Sequence, residues 1–263
     1  MGQRQDLVIF SDHSVISKKL FGEGNNTMIT LTSMQATQAS WALNVLVESY
    51  LFGYPISLNS EQRAGTLSAD KKAFVTLASL THNTAYFQAT LNKLQVNSSQ
   101  YKIVDIFSDF VGLINGKSAD KILKMLVDMF PDNRDSFIVL EQPELLLSLV
   151  PNLTSDMLNT KFINELRKKC ALLVVNTVID SVQEENESAP AVEYRRFLQT
   201  NIYKSNVVIS LSPLPTGRAK DVTGTLKITR GPKSFEGFVP DIHVVENEYL
   251  YLTEKEATKL FYS

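Results

Sequence analysis

The run Cys170-Ala-Leu-Leu-Val-Val-Asn176 carries no strongly polar side chain before its last residue. A strand with one wet face alternates apolar and polar residues, whereas an unbroken apolar run of this length suits a strand covered on both faces, as in a parallel sheet. Phe137-Ile-Val-Leu140 has the same form and carries Glu141 at its carboxyl end. Working outward, further strands are expected at Asp6–Phe10, Thr27–Leu31, Phe74–Leu80 and Tyr101–Phe107. Helical spacing of Trp41, Leu43, Val45, Leu46, Val47, Tyr50 and Leu51 predicts a helix from about Thr37 to Phe52, stopped at Gly53-Tyr54-Pro55. More helices are predicted near 84–94, at 119–130, from about Pro143, and over 154–168. Strands and helices that alternate in this way predict an α/β fold with a mostly parallel sheet covered by helices on both faces.

The last third reads differently. An acidic linker, Gln183 to Ser188, precedes a helix around 192–203. Strands near 207–211, 224–230, 242–246 and 249–252 then follow with short turns, which predicts an antiparallel extension over about 205–263 within one domain spanning 1–263. Tyr249 and Tyr251 fall on one strand face, Leu250 and Leu252 on the other. Thr253-x-x-Glu256 has the form of a capping box and predicts a short helix ending at Leu260-Phe-Tyr262. A terminus this rich in large apolar groups docks on something. Its own sheet and a neighbouring subunit both remain open, and Tyr249, Tyr251, Phe261 and Tyr262 are the candidate interface residues.

Composition excludes several functions. A single cysteine among 263 residues rules out a disulfide framework and a multi-cysteine zinc site, and Cys170 reads as a buried strand thiol. His13, His82 and His243 show no metal-ligand spacing, and no metal or cofactor is expected. No apolar run approaches the roughly 18 residues that span a bilayer, and the start lacks the apolar core of a signal peptide, so a soluble intracellular protein without membrane contact is expected. The net charge is -2, yet Pro190 to Ser234 alone carries +6 and leaves -8 elsewhere. That segment is either a set of solvated charges or a polyanion contact.

A strand leading into a helix invites a phosphate loop between Leu31 and Trp41. Such a loop needs glycines whose amides converge on the anion, a lysine to neutralise it and a hydroxyl for magnesium. Thr32-Ser-Met-Gln-Ala-Thr-Gln-Ala-Ser40 has the hydroxyls, but neither glycine nor lysine occurs from Asn25 to Phe52. Phosphoryl transfer at this loop is therefore not expected. Gly112-Leu-Ile-Asn-Gly116-Lys117-Ser118 contains the tripeptide of a phosphate loop with its glycines one residue too close. It reads as a turn at Asn115-Gly116 followed by Ser118 capping the next helix. Glu141 holds the position of a Walker B acid. It either serves a nucleotide site or makes local hydrogen bonds.

Four blocks then carry a resemblance: Arg4-Gln-Asp-Leu-Val-Ile-Phe-Ser-Asp12, Leu140-Glu-Gln-Pro-Glu-Leu-Leu-Leu-Ser-Leu-Val150, Gly217-Arg-Ala-Lys-Asp-Val-Thr-Gly224 and His243-Val-Val-Glu-Asn-Glu-Tyr-Leu-Tyr-Leu-Thr-Glu-Lys-Glu-Ala-Thr-Lys-Leu-Phe-Tyr262. They resemble the subunit-six family of the Elongator complex, which modifies wobble uridines of tRNA. The resemblance implies a RecA-like core with a degenerate phosphate loop, no catalytic motif, and catalysis in another subunit. It implies a heterohexameric ring with the complex's two other RecA-like subunits, four and five. It also implies contact with the remaining subunits and tRNA, and residence in the cytoplasm with the nucleus as a second compartment. Arg218, Lys220 and Arg230 become candidate tRNA-facing or interface residues, and Glu141 a degenerate Walker B position. The alternative is a divergent ATPase that completes composite nucleotide sites at ring interfaces.

Overall fold

A computed structural model of the chain describes residues 15–16, 20, 26–35, 37–58, 72–108, 110–179, 187–217, 219–235, 243–255 and 257–262. The expected strand at Asp6–Phe10, most of the polar stretch from Ser57 to Lys72, and most of the acidic linker lie outside these residues. Nine strands form one sheet: β1 (Thr27–Met34), β2 (Val75–Ser79), β3 (Tyr101–Asp105), β4 (Phe137–Glu141), β5 (Leu172–Ile179), β6 (Val207–Pro213), β7 (Gly224–Arg230), β8 (Asn247–Thr253) and β9 (Thr258–Tyr262). Their order is β3-β2-β4-β5-β1-β6-β7-β8-β9. The first six in this order run parallel, and β7, β8 and β9 each pair antiparallel.

The apolar runs are explained by what lies on either side of them. In β5, Leu172 and Val174 join one core with α1 (Ser40–Phe52) and α2 (Thr84–Lys93), while Leu173 and Val175 join a second core on the opposite face. That second core is built with α3 (Phe110–Ile114), α4 (Ala119–Met129), α5 (Leu146–Leu149), α6 (Ser155–Leu158), α7 (Asn164–Lys168) and α8 (Ala189–Lys204). Successive side chains point to opposite faces of a strand, so a strand between two cores is apolar throughout. Gly53 ends α1 at φ 79°, its amide closing on the Ser49 carbonyl at 3.0 Å, a left-handed conformation that glycine adopts without strain. Ser118 caps α4 after a turn at Gly116, as the sequence predicts, so the tripeptide there belongs to no phosphate loop.

The helix from Pro143 forms as a short one, a 3-10 turn (Pro143–Leu145) running into α5, and the helix over 154–168 forms with Thr154 as its cap, α6 and α7 being continuous through a π-helical turn at Asn159–Ile163. Two expectations need correction. Of the expected strand at 242–246, the described residues 243–246 hold an isolated bridge, Val244 to Ile16, with the Val245 amide donating to the Val15 carbonyl at 2.7 Å, and no ladder with the sheet. The closing helix is instead β9, hairpinned onto β8. An unpaired strand edge is a template for another strand. Burial along this segment alternates, with Thr258 and Leu260 buried and Lys259 and Phe261 half-buried, so the residues fit a period of two.

Candidate functional site

Open α/β sheets bind ligands beyond the carboxyl ends of their parallel strands. A cavity of about 640 Å³ lies there, across the ends of β1, β2, β4 and β5. The β1–α1 connection supplies Ser33, Thr37 and Ser40 to one wall. Its hydroxyls are partly spent on the chain itself, since Thr37 Oγ1 donates to the Met34 carbonyl at 2.7 Å. Ala39 stands at the helix N-cap, where no side chain accepts from the first turn.

The opposite wall is acidic. Glu141, at the end of β4, is 3% exposed and its Oε2 lies 2.7 Å from His82 Nδ1. His82 follows β2, where the Ser79 hydroxyl accepts from the His82 amide at 2.9 Å, and its ring stacks on Tyr86 at 3.8 Å between centroids. After Glu141 the backbone turns sharply: Gln142 sits at φ 54° and donates to the Asn176 carbonyl at 2.8 Å. This turn places Glu144 against the end of β5, where its Oε1 accepts from the Val178 amide at 2.9 Å. Burial pushes the Glu144 carboxyl up to about 8, and the neighbouring Glu141 charge adds to the rise. Behind this wall, closed off from the cavity, Glu144 Oε2 and Asn176 Oδ1 are buried without a hydrogen-bond partner among the described residues. Among the described residues, no lysine or arginine lines the cavity.

These side chains give the cavity acceptors and carboxylates where a triphosphate would need cations and converging amides. Among the described residues, no group of three or more His, Cys, Asp and Glu is placed to hold a metal ion. Glu141 is therefore found at the strand end that its sequence position predicts, engaged with a histidine. The sequence reading missed His82, Tyr86, Glu144 and Asn176 as its companions. Two signals were present: Asn176 is the one polar residue closing an apolar run, and Glu144 follows Glu141 by three residues across a proline.

Of the basic candidates, Lys220 and Arg230 do not converge. Lys220 is exposed on the β6–β7 connection, at the carboxyl ends of the parallel strands. Arg230 lies at the far end of β7, about 20 Å away by strand rise, half-buried with its Nε donating to the Val244 carbonyl at 3.3 Å. Arg218 lies outside the described residues. Elsewhere in the basic segment, Arg196 pairs with Glu193 on α8 and Lys204 donates to Asn164 Oδ1, so its charge is spread over several surfaces.

The aromatic tail is also corrected in part. Tyr249 and Tyr251 are each 1% exposed, and Tyr251 packs its ring against Trp41 with centroids 4.9 Å apart. They are core residues of this chain and offer nothing to a neighbour. Phe261 lies opposite Leu250 with both half-buried, while the side chain of Tyr262 lies outside the described residues. Cys170 is buried just before β5, and burial pushes its thiol up to about 12.

Comparison with known proteins follows this geometry. The fold is that of RecA-like proteins: flagellar accessory protein FlaH from Methanocaldococcus jannaschii superposes over 100% of both chains with a TM-score of 0.52 and 14% identity. A KaiC-like protein from Pyrococcus horikoshii covers 99% of this chain and 100% of its own with a TM-score of 0.49 and 11% identity. No protein-family model matches the chain. Elongator complex protein 6 of Saccharomyces cerevisiae is 42% identical over 269 aligned residues, covering 99% of this chain and 98% of the yeast protein. The chain belongs to the Elongator complex protein 6 family. No helix among the described residues is long and apolar enough to cross a membrane.

Proposed function

We propose that this chain is a non-catalytic subunit of the Elongator complex, a RecA-like component of a heterohexameric ring with subunits four and five that binds tRNA for wobble-uridine modification. The observation that carries the reading is identity with Elongator complex protein 6 across nearly the whole length of both chains. Support for the non-catalytic part comes from the β1–α1 connection, which lacks glycine and lysine, and from the cavity beside it, whose described lining holds carboxylates and no lysine or arginine. A triphosphate at that place meets no ammonium group among the described lining residues to offset its charge.

Within this reading the tRNA contact is assigned to Lys220 and Arg218 on the β6–β7 connection. Arg230 is set aside because its guanidinium already serves a carbonyl within the chain. The test is charge reversal at both positions, Arg218→Glu with Lys220→Glu, in the ring co-expressed with its two relatives. Assembly is expected to persist by light scattering while tRNA affinity falls. The slope of log affinity against log salt should lose about 0.7 to 0.9 for each phosphate contact removed. An unchanged affinity and slope reject the assignment. A chain that forms a self-sufficient homohexamer rejects the heterohexameric ring.

The second reading, a composite nucleotide site, finds Glu141 at the right strand end but already bonded to His82. ATP turnover by the assembled ring that is lost on Glu141→Gln, with assembly intact, would favour it.

A further inference from the structure

Two cations meet at the amino ends of β5, β1 and β6, which are neighbours in the sheet. Arg167 lies in the last turn of α7, shortly before β5, and Lys204 closes α8, shortly before β6. Both are half-buried. Arg167 Nη2 donates to the Asn26 carbonyl at 3.0 Å, just ahead of β1, and Lys204 Nζ donates to Asn164 Oδ1 at 3.1 Å. Asn164 and Arg167 stand one turn apart on one face of α7, so the bond to Asn164 brings the ammonium beside the guanidinium. The acid on that helix, Glu165, is taken by Lys168 at 2.6 Å. Neither Arg167 nor Lys204 forms an ion pair among the described residues.

A charge taken out of water is ordinarily paired with its opposite. Here both partners are neutral oxygens. Burial holds the Arg167 guanidinium below its ordinary value. The Lys204 ammonium is lowered by burial first and by the Arg167 charge second, against a smaller opposing pull from Asp156. Cations do suit the carboxyl ends of helices, which explains one at the end of α7 or one at the end of α8. It does not explain the pair. Each helix end brings about half a negative charge at most, so two full positive charges leave an excess of about one, and an anion between them removes the repulsion.

A tetrahedral phosphate offers oxygens in several directions, to a guanidinium on one helix and an ammonium on another, whereas a flat carboxylate is matched by the guanidinium alone. Tyr203 precedes Lys204 and is 62% exposed, more than any other tyrosine, phenylalanine or tryptophan among the described residues. Arg196 stands two turns earlier on the same face of α8. Nucleic-acid strands are held by this combination, a base on the ring and its phosphate on a cation. We propose that Arg167 and Lys204 form a phosphate site. Its chemistry is shared by two sources, the backbone phosphate of an RNA strand and a free phosphorylated compound. Where a strand supplies the phosphate, Tyr203 gives its base a stacking face. The site lies at the opposite end of the parallel strands from Lys220, and so adds a second anion contact to the one proposed above.

The experiment titrates inorganic phosphate into the full-length chain at slightly alkaline pH and constant low ionic strength, followed by calorimetry and by the thermal midpoint. Saturable binding that raises the midpoint is expected, with acetate at least tenfold weaker. Lys204→Gln should weaken phosphate binding at least tenfold. Without phosphate its midpoint should stay at or above that of the parent, because the variant no longer sets a second charge beside Arg167. That readout separates a ligand site from a helix cap, whose loss would lower the midpoint. Absence of saturable binding, parent-like binding by Lys204→Gln, or a lowered midpoint in that variant overturns the proposal. Acetate bound as tightly as phosphate also overturns it, and assigns the pair to an acidic segment of a partner. A single-stranded RNA oligonucleotide then separates the sources. If a strand supplies the phosphate, the oligonucleotide competes with inorganic phosphate and weakens severalfold on Tyr203→Ala, which leaves inorganic phosphate binding unchanged. An oligonucleotide that does not compete assigns the site to a free phosphorylated compound. The phosphate titration does not depend on the contact assigned to Arg218 and Lys220: failure of that charge-reversal test leaves this site standing, and failure here leaves that test untouched.

Discussion

In the parallel half of the sheet, Leu172, Leu173, Val174 and Val175 are each 0% exposed, although they alternate between two faces. In the antiparallel extension, Leu226 and Ile228 are 0% exposed while Lys227 between them is exposed. Helices cover β1, β2, β4 and β5 on both sides, and the extension packs one face on the core that includes α1 and leaves the other half-open. Mutation of adjacent residues should separate these two regimes. On β8, Tyr249→Ala should remove ~3–5 kcal/mol of stability, the range for emptying a buried aromatic site, and Leu250→Ala on the half-open face about 1 kcal/mol. Urea unfolding at constant slope measures both. Equal losses would mean that the outer face of the extension is as fully covered as β5, and the contrast between the regions would fall.

The join between the regions is tight. A Cβ at Gly231 would stand 1.9 Å from the Ser205 carbonyl oxygen, and the Gly231 amide donates to Asn206 at 2.8 Å, so backbone meets backbone where β7 returns to the start of β6. Gly231→Ala therefore forces the strands apart and should cost about 1–3 kcal/mol. Amide exchange sharpens the comparison: β7, β8 and β9 should lose protection well before β4 and β5. Uniform loss across all nine strands would show that the extension and the parallel half open as one unit.

The two halves were also unequally legible in the sequence. A strand between two cores is recognisable from composition alone, which is why Phe137–Leu140 and Cys170–Val175 gave their positions and a parallel setting, but not their neighbours, without knowledge of partners. The extension depends on pairing. Thr253 to Tyr262 satisfies a helix-capping pattern and a strand pattern equally well, and only the free edge of β8 selects the strand. Tyr249 and Tyr251 suit a core or an interface by residue type, and the packing of Trp41 against Tyr251 places them in the core. The candidate site was half legible for a similar reason. Absence of glycine and lysine before Trp41 is visible in a string of letters, and so is an acid at the end of β4. The wall made by His82, Glu144 and Asn176 joins segments up to 94 residues apart and exists only once β2, β4 and β5 lie side by side.

The effect smallest at any one step of pH is a slope, and it locates a difference in chemistry between the halves. The parallel half and its helices bury three carboxyl groups, Glu48, Glu141 and Glu144, whereas no Asp or Glu is buried among the described residues of β6 to β9. Glu144 is raised from an ordinary value of 4.5 to about 8. Between those values the folded chain keeps a proton that the unfolded chain has released. The contribution is fully present below about pH 4.5, declines as pH rises, and is gone above about pH 8. Glu144→Gln is neutral at every pH and should flatten the stability profile in this window by about 1 kcal/mol per pH unit. Glu193 and Asp105, both held below the ordinary carboxylate range, favour the fold as pH rises through the acid range, but they are common to parent and variant and cancel in the difference. Thermal unfolding of the two proteins from pH 5 to 9 reads the effect, with the variant gaining on the parent toward alkaline pH. Parallel profiles would mean that Glu144 ionises in the folded chain at an ordinary value, and its place behind the cavity would then be wet and not dry.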